Sequence, residues 1–117
     1  MPQLISVGNK LYRVNSIENR VEISYTGGIL WVGRCRMGRK FGKLKDLLFF
    51  HDRIFALTET GIWFSANEAA DWGRKGSGKL VSSFVALQDG GNDLWALSED
   101  GHMYRSYNEG ADWVRRG

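Results

Sequence analysis

The chain has 117 residues, 43% of them hydrophobic and 25% charged, with a net charge of +3. That is one globular domain: too short for two independent cores and too apolar to stay disordered. No apolar run approaches the roughly 18 residues of a membrane span, and the single Cys35 excludes an internal disulfide.

The first residues, Met-Pro-Gln-Leu-Ile-Ser-Val-Gly, lack a basic head followed by a long apolar stretch, so no signal peptide is expected. A cytoplasmic protein without a membrane partner is the expectation, in keeping with the lone cysteine. Fifteen glycines against one proline, with 15 aromatic residues, favour short strands joined by tight turns.

Taken in chain order, the predicted strands are residues 4–7, 11–15, 21–25 and 31–35, then 47–50, 54–58, 62–65 and a segment from Trp72 onward. Residues 83–88, 93–98, 102–106 and 113–116 complete the series. Helix competes only at 44–57, where Leu44, Leu47, Leu48 and Phe55 partly fit a helical stripe. The matching place later in the chain reads Asp89-Gly90-Gly91-Asn92, which breaks a helix and turns a hairpin.

That match is part of a repeat. Trp31, Trp72 and Trp113 are each 41 residues apart, and so are Ser24, Ser65 and Ser106. Upstream of these serines lie three matching apolar stretches, Leu11-Tyr12-Arg13-Val14, Ile54-Phe55-Ala56-Leu57 and Leu94-Trp95-Ala96-Leu97. Three copies of one four-stranded unit, recurring about every 40 residues, predict an all-β chain of three four-stranded β-propeller blades. The whole of 1–117 is then a single half-propeller domain, with blades at about 1–40, 41–79 and 80–117. Three blades leave two apolar end faces, and propellers usually close with four to eight. Two chains on a two-fold axis would give six blades, so a homodimer is expected.

The windows before the tryptophans are Ser24-Tyr25-Thr26-Gly27-Gly28-Ile29-Leu30-Trp31, Ser65-Ala66-Asn67-Glu68-Ala69-Ala70-Asp71-Trp72 and Ser106-Tyr107-Asn108-Glu109-Gly110-Ala111-Asp112-Trp113. They resemble the Asp-box (bacterial neuraminidase repeat) of sialidase-like propellers, Ser/Thr-x-Asp-x-Gly-x-Thr-Trp, in three degenerate copies covering the chain. Thr26, Asn67 and Asn108 replace the aspartate, Ala69 replaces a glycine, and Asp71 and Asp112 stand where threonine is usual. The resemblance implies structural turns at Ser24, Trp31, Ser65, Asn67, Trp72, Ser106, Asn108, Gly110 and Trp113, with an indole packed between sheets. It also implies what a sialidase site needs: three arginines on a carboxylate, a tyrosine–glutamate pair and an acid/base aspartate. Tyr12-Arg13-Val14-Asn15 lacks the proline of the family's Tyr/Phe-Arg-Ile-Pro motif and aligns instead with second strands of the other copies. A two-fold ring would also duplicate an asymmetric catalytic set. No catalytic residue is assigned.

Eleven of the 16 basic residues fall in or beside the links between copies, Arg34, Arg36, Arg74, Lys75, Arg115 and Arg116 among them. Arg34, Lys75 and Arg116 share the 41-residue spacing. Asp52, Glu68, Asp71, Asp89, Asp93, Glu109 and Asp112 fall in the turns expected on the opposite face. A doubled basic set around one mouth of a ring would attract anions, and arginine forks suit carboxylate and phosphate. His51 and His102 lack the company of metal ligands, so neither metal nor cofactor is expected. Gly73-Arg74-Lys75-Gly76-Ser77-Gly78-Lys79 lacks phosphate-loop spacing. Trp63, Trp95, Tyr104 and Tyr107 are read as packing residues, and Cys35 as a buried fourth-strand residue.

The function expected is a non-enzymatic binding module for an anionic ligand: an acidic glycan, nucleotide, nucleic acid or acidic protein surface. A minimal sialidase-like glycosidase is one alternative. A scaffold, assembly or phage-type inhibitor protein acting by protein–protein contact is another.

Overall fold

A computed structural model describes residues 4–36 and 41–117. It holds three separate four-stranded sheets, each an antiparallel meander in which strands follow one another in sequence order. The first comprises β1 (Leu4–Val7), β2 (Lys10–Asn15), β3 (Arg20–Ser24) and β4 (Val32–Arg36). The second comprises β5 (Leu44–Phe50), β6 (Arg53–Thr58), β7 (Gly61–Ser65) and β8 (Gly73–Gly76). The third comprises β9 (Phe84–Asp89), β10 (Leu94–Ser98), β11 (Met103–Ser106) and β12 (Val114–Arg115).

Segment 44–57 forms two strands, not a helix. His51 and Asp52 take left-handed backbone (φ 50° and 61°) to reverse the chain between β5 and β6, which supplies the turn a hairpin needs. One element was not anticipated. A single helical turn, α1 (Lys79–Ser82), joins the second sheet to the third, and its Val81 is only 3% exposed. Leu80-Val81 is too short a run to carry a period, so local pattern could not distinguish it from the start of a strand.

The register makes the repeat exact at the level of pairing. Leu11 faces Ser24, Ile54 faces Ser65 and Leu94 faces Ser106 across β2–β3, β6–β7 and β10–β11. Alternation then sends Tyr12, Phe55 and Trp95 to one side of their sheets, and Arg13, Ala56 and Ala96 to the other.

Two apolar seams hold the sheets together. In the first, Tyr12, Val21 and Ile23 of sheet one pack with Leu47, Ile54, Ala56 and Trp63 of sheet two. In the second, Phe55, Leu57 and Ile62 of sheet two pack with Phe84, Leu87, Leu94 and Ala96 of sheet three. The first strands lie closest: β5 packs against both β1 and β9. The fourth strands form the opposite edge of each sheet.

Asp46 is fully buried in β5 and crosses the second seam. Its Oδ2 accepts the Leu87 N–H at 3.0 Å while Oδ1 accepts the Leu47 N–H. Burial pushes its carboxyl up to about 6, against the pull of these two amides. Glycine marks the tightest approach: a Cβ on Gly76 would lie 2.2 Å from the Gly110 carbonyl oxygen of the next sheet.

Candidate functional site

The three serine-to-tryptophan windows build the same turn. Ser65 Oγ accepts N–H bonds from Asn67 and Ala69, and Ser106 Oγ accepts them from Asn108 and Gly110. Asn67 Oδ1 accepts from Asp71 N, and its Nδ2 donates to Asp71 Oδ2; Asn108 and Asp112 repeat both bonds. In the first window Ser24 Oγ accepts from Gly28 N, and Thr26 Oγ1 accepts from Leu30 N at 2.8 Å. The indoles of Trp31, Trp72 and Trp113 donate to the carbonyls of Gly28, Ala69 and Gly110. Short polar side chains here replace ladder bonds that a reversing chain cannot make.

Each of the last two windows is also an anchor for the sheet before it. Glu68 pairs with Lys10 of β2, and its carbonyl accepts from Arg34 Nε of β4 at 3.0 Å. Glu109, 41 residues on, takes Arg53 of β6 at 3.3 Å, Lys75 of β8 at 3.6 Å and His51 at 3.3 Å. A cation opening the second strand and a cation in the fourth thus clasp a glutamate in the next sheet, twice over. The clamp is incomplete at the two ends, where only the fourth-strand cation has a counterpart, Arg116 at the place of Arg34 and Lys75. Gly27 stands where Glu68 and Glu109 do, and Asp93 stands where Lys10 and Arg53 do.

This changes the charge layout read from the sequence. The basic positions lie on the outermost strands, one group per sheet: Arg34 and Arg36 on β4, Arg74 and Lys75 on β8, Arg115 on β12 with Arg116 just beyond. The structure does not gather them at one point. Arg34 and Lys75 touch the very turns that were expected on the opposite face; each sits three residues after the tryptophan that closes a window of its own. Arg74 lies 5.4 Å over the Trp63 ring, and Arg115 approaches Nδ1 of His102 at 3.0 Å. The side chains of Cys35 and Arg36, together with residues 37–40 and so Arg39 and Lys40, lie outside the described part. Among the described residues, no group of three or more His, Cys, Asp or Glu could hold a metal ion. No described helix is long and apolar enough to cross a membrane.

The two free flanks are more polar than expected. On sheet one, Glu22 is 3% exposed and accepts from Arg13 at 2.8 Å, Arg20 at 2.7 Å and Asn15 at 3.2 Å. Burial opposes its ionisation, but the two guanidiniums and the amide outweigh that and hold the carboxyl at about 2. Arg13 also lies 4.1 Å over the Trp31 ring. On sheet three an open hollow of about 510 Å³ is lined by Ala86, Trp95, Leu97 and Met103 among others. Arg105 beside it pairs with Asp93 and lies over the Trp95 ring at 5.2 Å. The sequence marked Trp95 only as packing and did not single out Glu22 or Arg105 at all.

No protein-family model and no curated protein sequence matches the chain. Solved structures do. YCF48 bound to D1 peptide superposes with a TM-score of 0.73 at 16% identity, over 92% of this chain and 37% of that one. PorZ, a surface component of the type-IX secretion system of Porphyromonas gingivalis, gives 0.72 at 19%, over 96% and 15%. An ancestral GH74 enzyme gives 0.69 at 17%, over 96% and 17%. The sheets are β-propeller blades. At these identities the likeness shows the fold alone, and the chain spans only 15–37% of the length of these three propellers. Each blade's first strand is its inner strand and its fourth the outer, so the basic positions occupy the rim of the three-blade arc.

Proposed function

We propose that the chain is a non-enzymatic binding module: three Asp-box-type blades, completed to a six-bladed ring by a second copy, that hold an anionic ligand on their outer rim. The observation that carries this is how the charges are spent. Most of the carboxylates serve as internal acceptors. Glu22, Glu68, Asp93 and Glu109 bind cations, Asp46, Asp89 and Glu59 bind backbone N–H groups, and Asp71 and Asp112 brace asparagines. Arg74, Lys79, Arg115 and Arg116 remain exposed, on or next to β8 and β12. Among the described residues they have no carboxylate partner, and uncompensated cations on a rim draw anions.

Arg34 and Lys75 belong instead to the interblade clamp, which moves the ligand-contacting set to Arg74, Arg115 and Arg116. An acidic protein segment is the ligand class to test first, since one propeller of this fold, YCF48, is known with a peptide bound. A labelled hexaglutamate peptide serves as the probe. Reversing Arg74, Arg115 and Arg116 together to glutamate is expected to weaken its binding roughly tenfold or more, three exposed ionic contacts being worth a few tenths to 1 kcal/mol each. Wild-type binding should fall as salt rises. Unchanged affinity in a folded triple variant overturns the proposal.

A further inference from the structure

Two of the exposed rim arginines are equivalents. Arg74 pairs with Trp63 across β7–β8 as Arg115 pairs with Tyr104 across β11–β12, and the two are 41 residues apart. What each meets at the head of the third strand differs. In blade two that place is Gly61, and the Arg74 side chain passes close by it: a Cβ there would lie 3.2 Å from Arg74 Cδ. In blade three the same place, 41 residues on, is His102, and Arg115 meets an imidazole.

That imidazole has one nitrogen with two incompatible neighbours. Nδ1 of His102 lies 3.0 Å from Nη2 of Arg115 and 3.2 Å from the main-chain oxygen of Gly117. A guanidinium only donates and a main-chain oxygen only accepts, so Nδ1 can serve one of them at a time. Bare, it accepts from Arg115. Protonated, it donates to Gly117, and Arg115 loses its acceptor. On the other side of the ring, Asp100 Oδ2 lies 3.8 Å from Nε2 and favours a proton there in both states. The Ser98 hydroxyl bonds Asp100 and holds its carboxyl below the usual range, so it stays charged. A proton arriving at Nδ1 therefore makes the imidazolium. Asp100 and Arg115 are the charged side chains that touch this ring among the described residues, and Glu99 and Arg116 stand next to them in the chain.

We infer that His102 belongs to the anion-binding rim as a proton-gated contact: an acidic peptide draws a proton onto Nδ1 and takes the Arg115 guanidinium that this releases. The inference rests on the rim proposed above and adds a residue and a pH dependence to it. Protonation sets two cations side by side where there was one, an arrangement that an anion lying against both makes favourable. Ligand binding and proton uptake then promote each other by the same factor. Imidazole is the side chain whose charge ordinarily changes between pH 5 and 8, while glutamate carboxylates stay ionised through most of that range. The rim should therefore hold an acidic ligand more tightly in mild acid. Arg74, with Gly61 in place of the histidine, should contribute alike at either pH.

The test uses the full chain, the labelled hexaglutamate peptide and His102→Gln, whose amide can accept from Arg115 but takes up no proton. Circular dichroism checks that the variant is folded. Wild-type affinity should rise roughly two- to fivefold from about pH 7.5 to about pH 5.5, the gain of one exposed ionic contact, while His102→Gln stays level. The chain has two histidines, so NMR of the imidazole carbons gives a second reading. Saturating peptide should move the titration midpoint of His102 upward and leave that of His51, which pairs with Glu109, in place. A wild-type affinity that does not rise in acid, a variant that rises as much, or a His102 midpoint unmoved by peptide overturns the gate and leaves the rim. A peptide that binds at neither pH overturns both.

Discussion

The smallest decisions in this molecule are made by side chains that answer backbone amides. Ser106 Oγ accepts two N–H groups of its turn at once; Ser106→Ala removes the acceptor of both and should cost about 1–3 kcal/mol in a urea titration. A similar loss is expected at Ser65. Asp46 acts in the opposite sense with pH. Its carboxyl, at about 6 in the folded chain, is near 4 in the unfolded one, so between those values the folded state holds the extra proton. Stability at this group therefore falls as pH rises from about 4 to 6. Asp46→Asn should flatten that part of a melting-temperature profile. Glu22, held at about 2, works the other way: its contribution is present above about 4.5 and is lost as pH falls toward 2. Undiminished pH dependence in Asp46→Asn would show that other groups carry it.

At the scale of strands and turns, alternation and the 41-residue spacing of serine and tryptophan state the blade plan outright, because each blade repeats one hairpin chemistry. Glycine fixes its tight points. Gly61 has a φ of 155°, and a Cβ there would sit 2.3 Å from the carbonyl oxygen of Gly76. Gly61→Ala is accordingly expected to cost about 1–3 kcal/mol, read as a shifted urea midpoint with unchanged slope. What the pattern could not reveal is contact between units. The Glu68 and Glu109 clamp is spaced like the serines, yet which cations reach each glutamate depends on how neighbouring blades are juxtaposed. Loop classes assigned by connectivity alone sent these partners to opposite faces. The clamp is partly solvent-exposed, so Glu109→Gln should cost no more than about 1 kcal/mol, and less in high salt.

For the molecule as a whole, the blades were legible in the sequence and the chemistry of their outer surfaces was not. Trp95 and Leu97 read as core residues of a second strand, as Phe55 and Leu57 are, because alternation carries no mark of whether another blade covers them. Arg13, Glu22 and Arg105 interrupt that apolar pattern only at the two ends of the arc, and only the pairing register shows that they occupy seam positions. The basic rim was visible as a count of lysines and arginines. Its division into clamp residues and exposed ones was not, since it depends on which acids each cation meets. On the reading proposed above, the rim is a binding surface and the flanks are where a second copy completes the ring. The direct measurement is the sedimentation mass of the wild-type chain at micromolar concentration in low salt. Twice the 13.3 kDa of one chain is the predicted result; a mass of 13.3 kDa persisting as concentration rises would contradict the account.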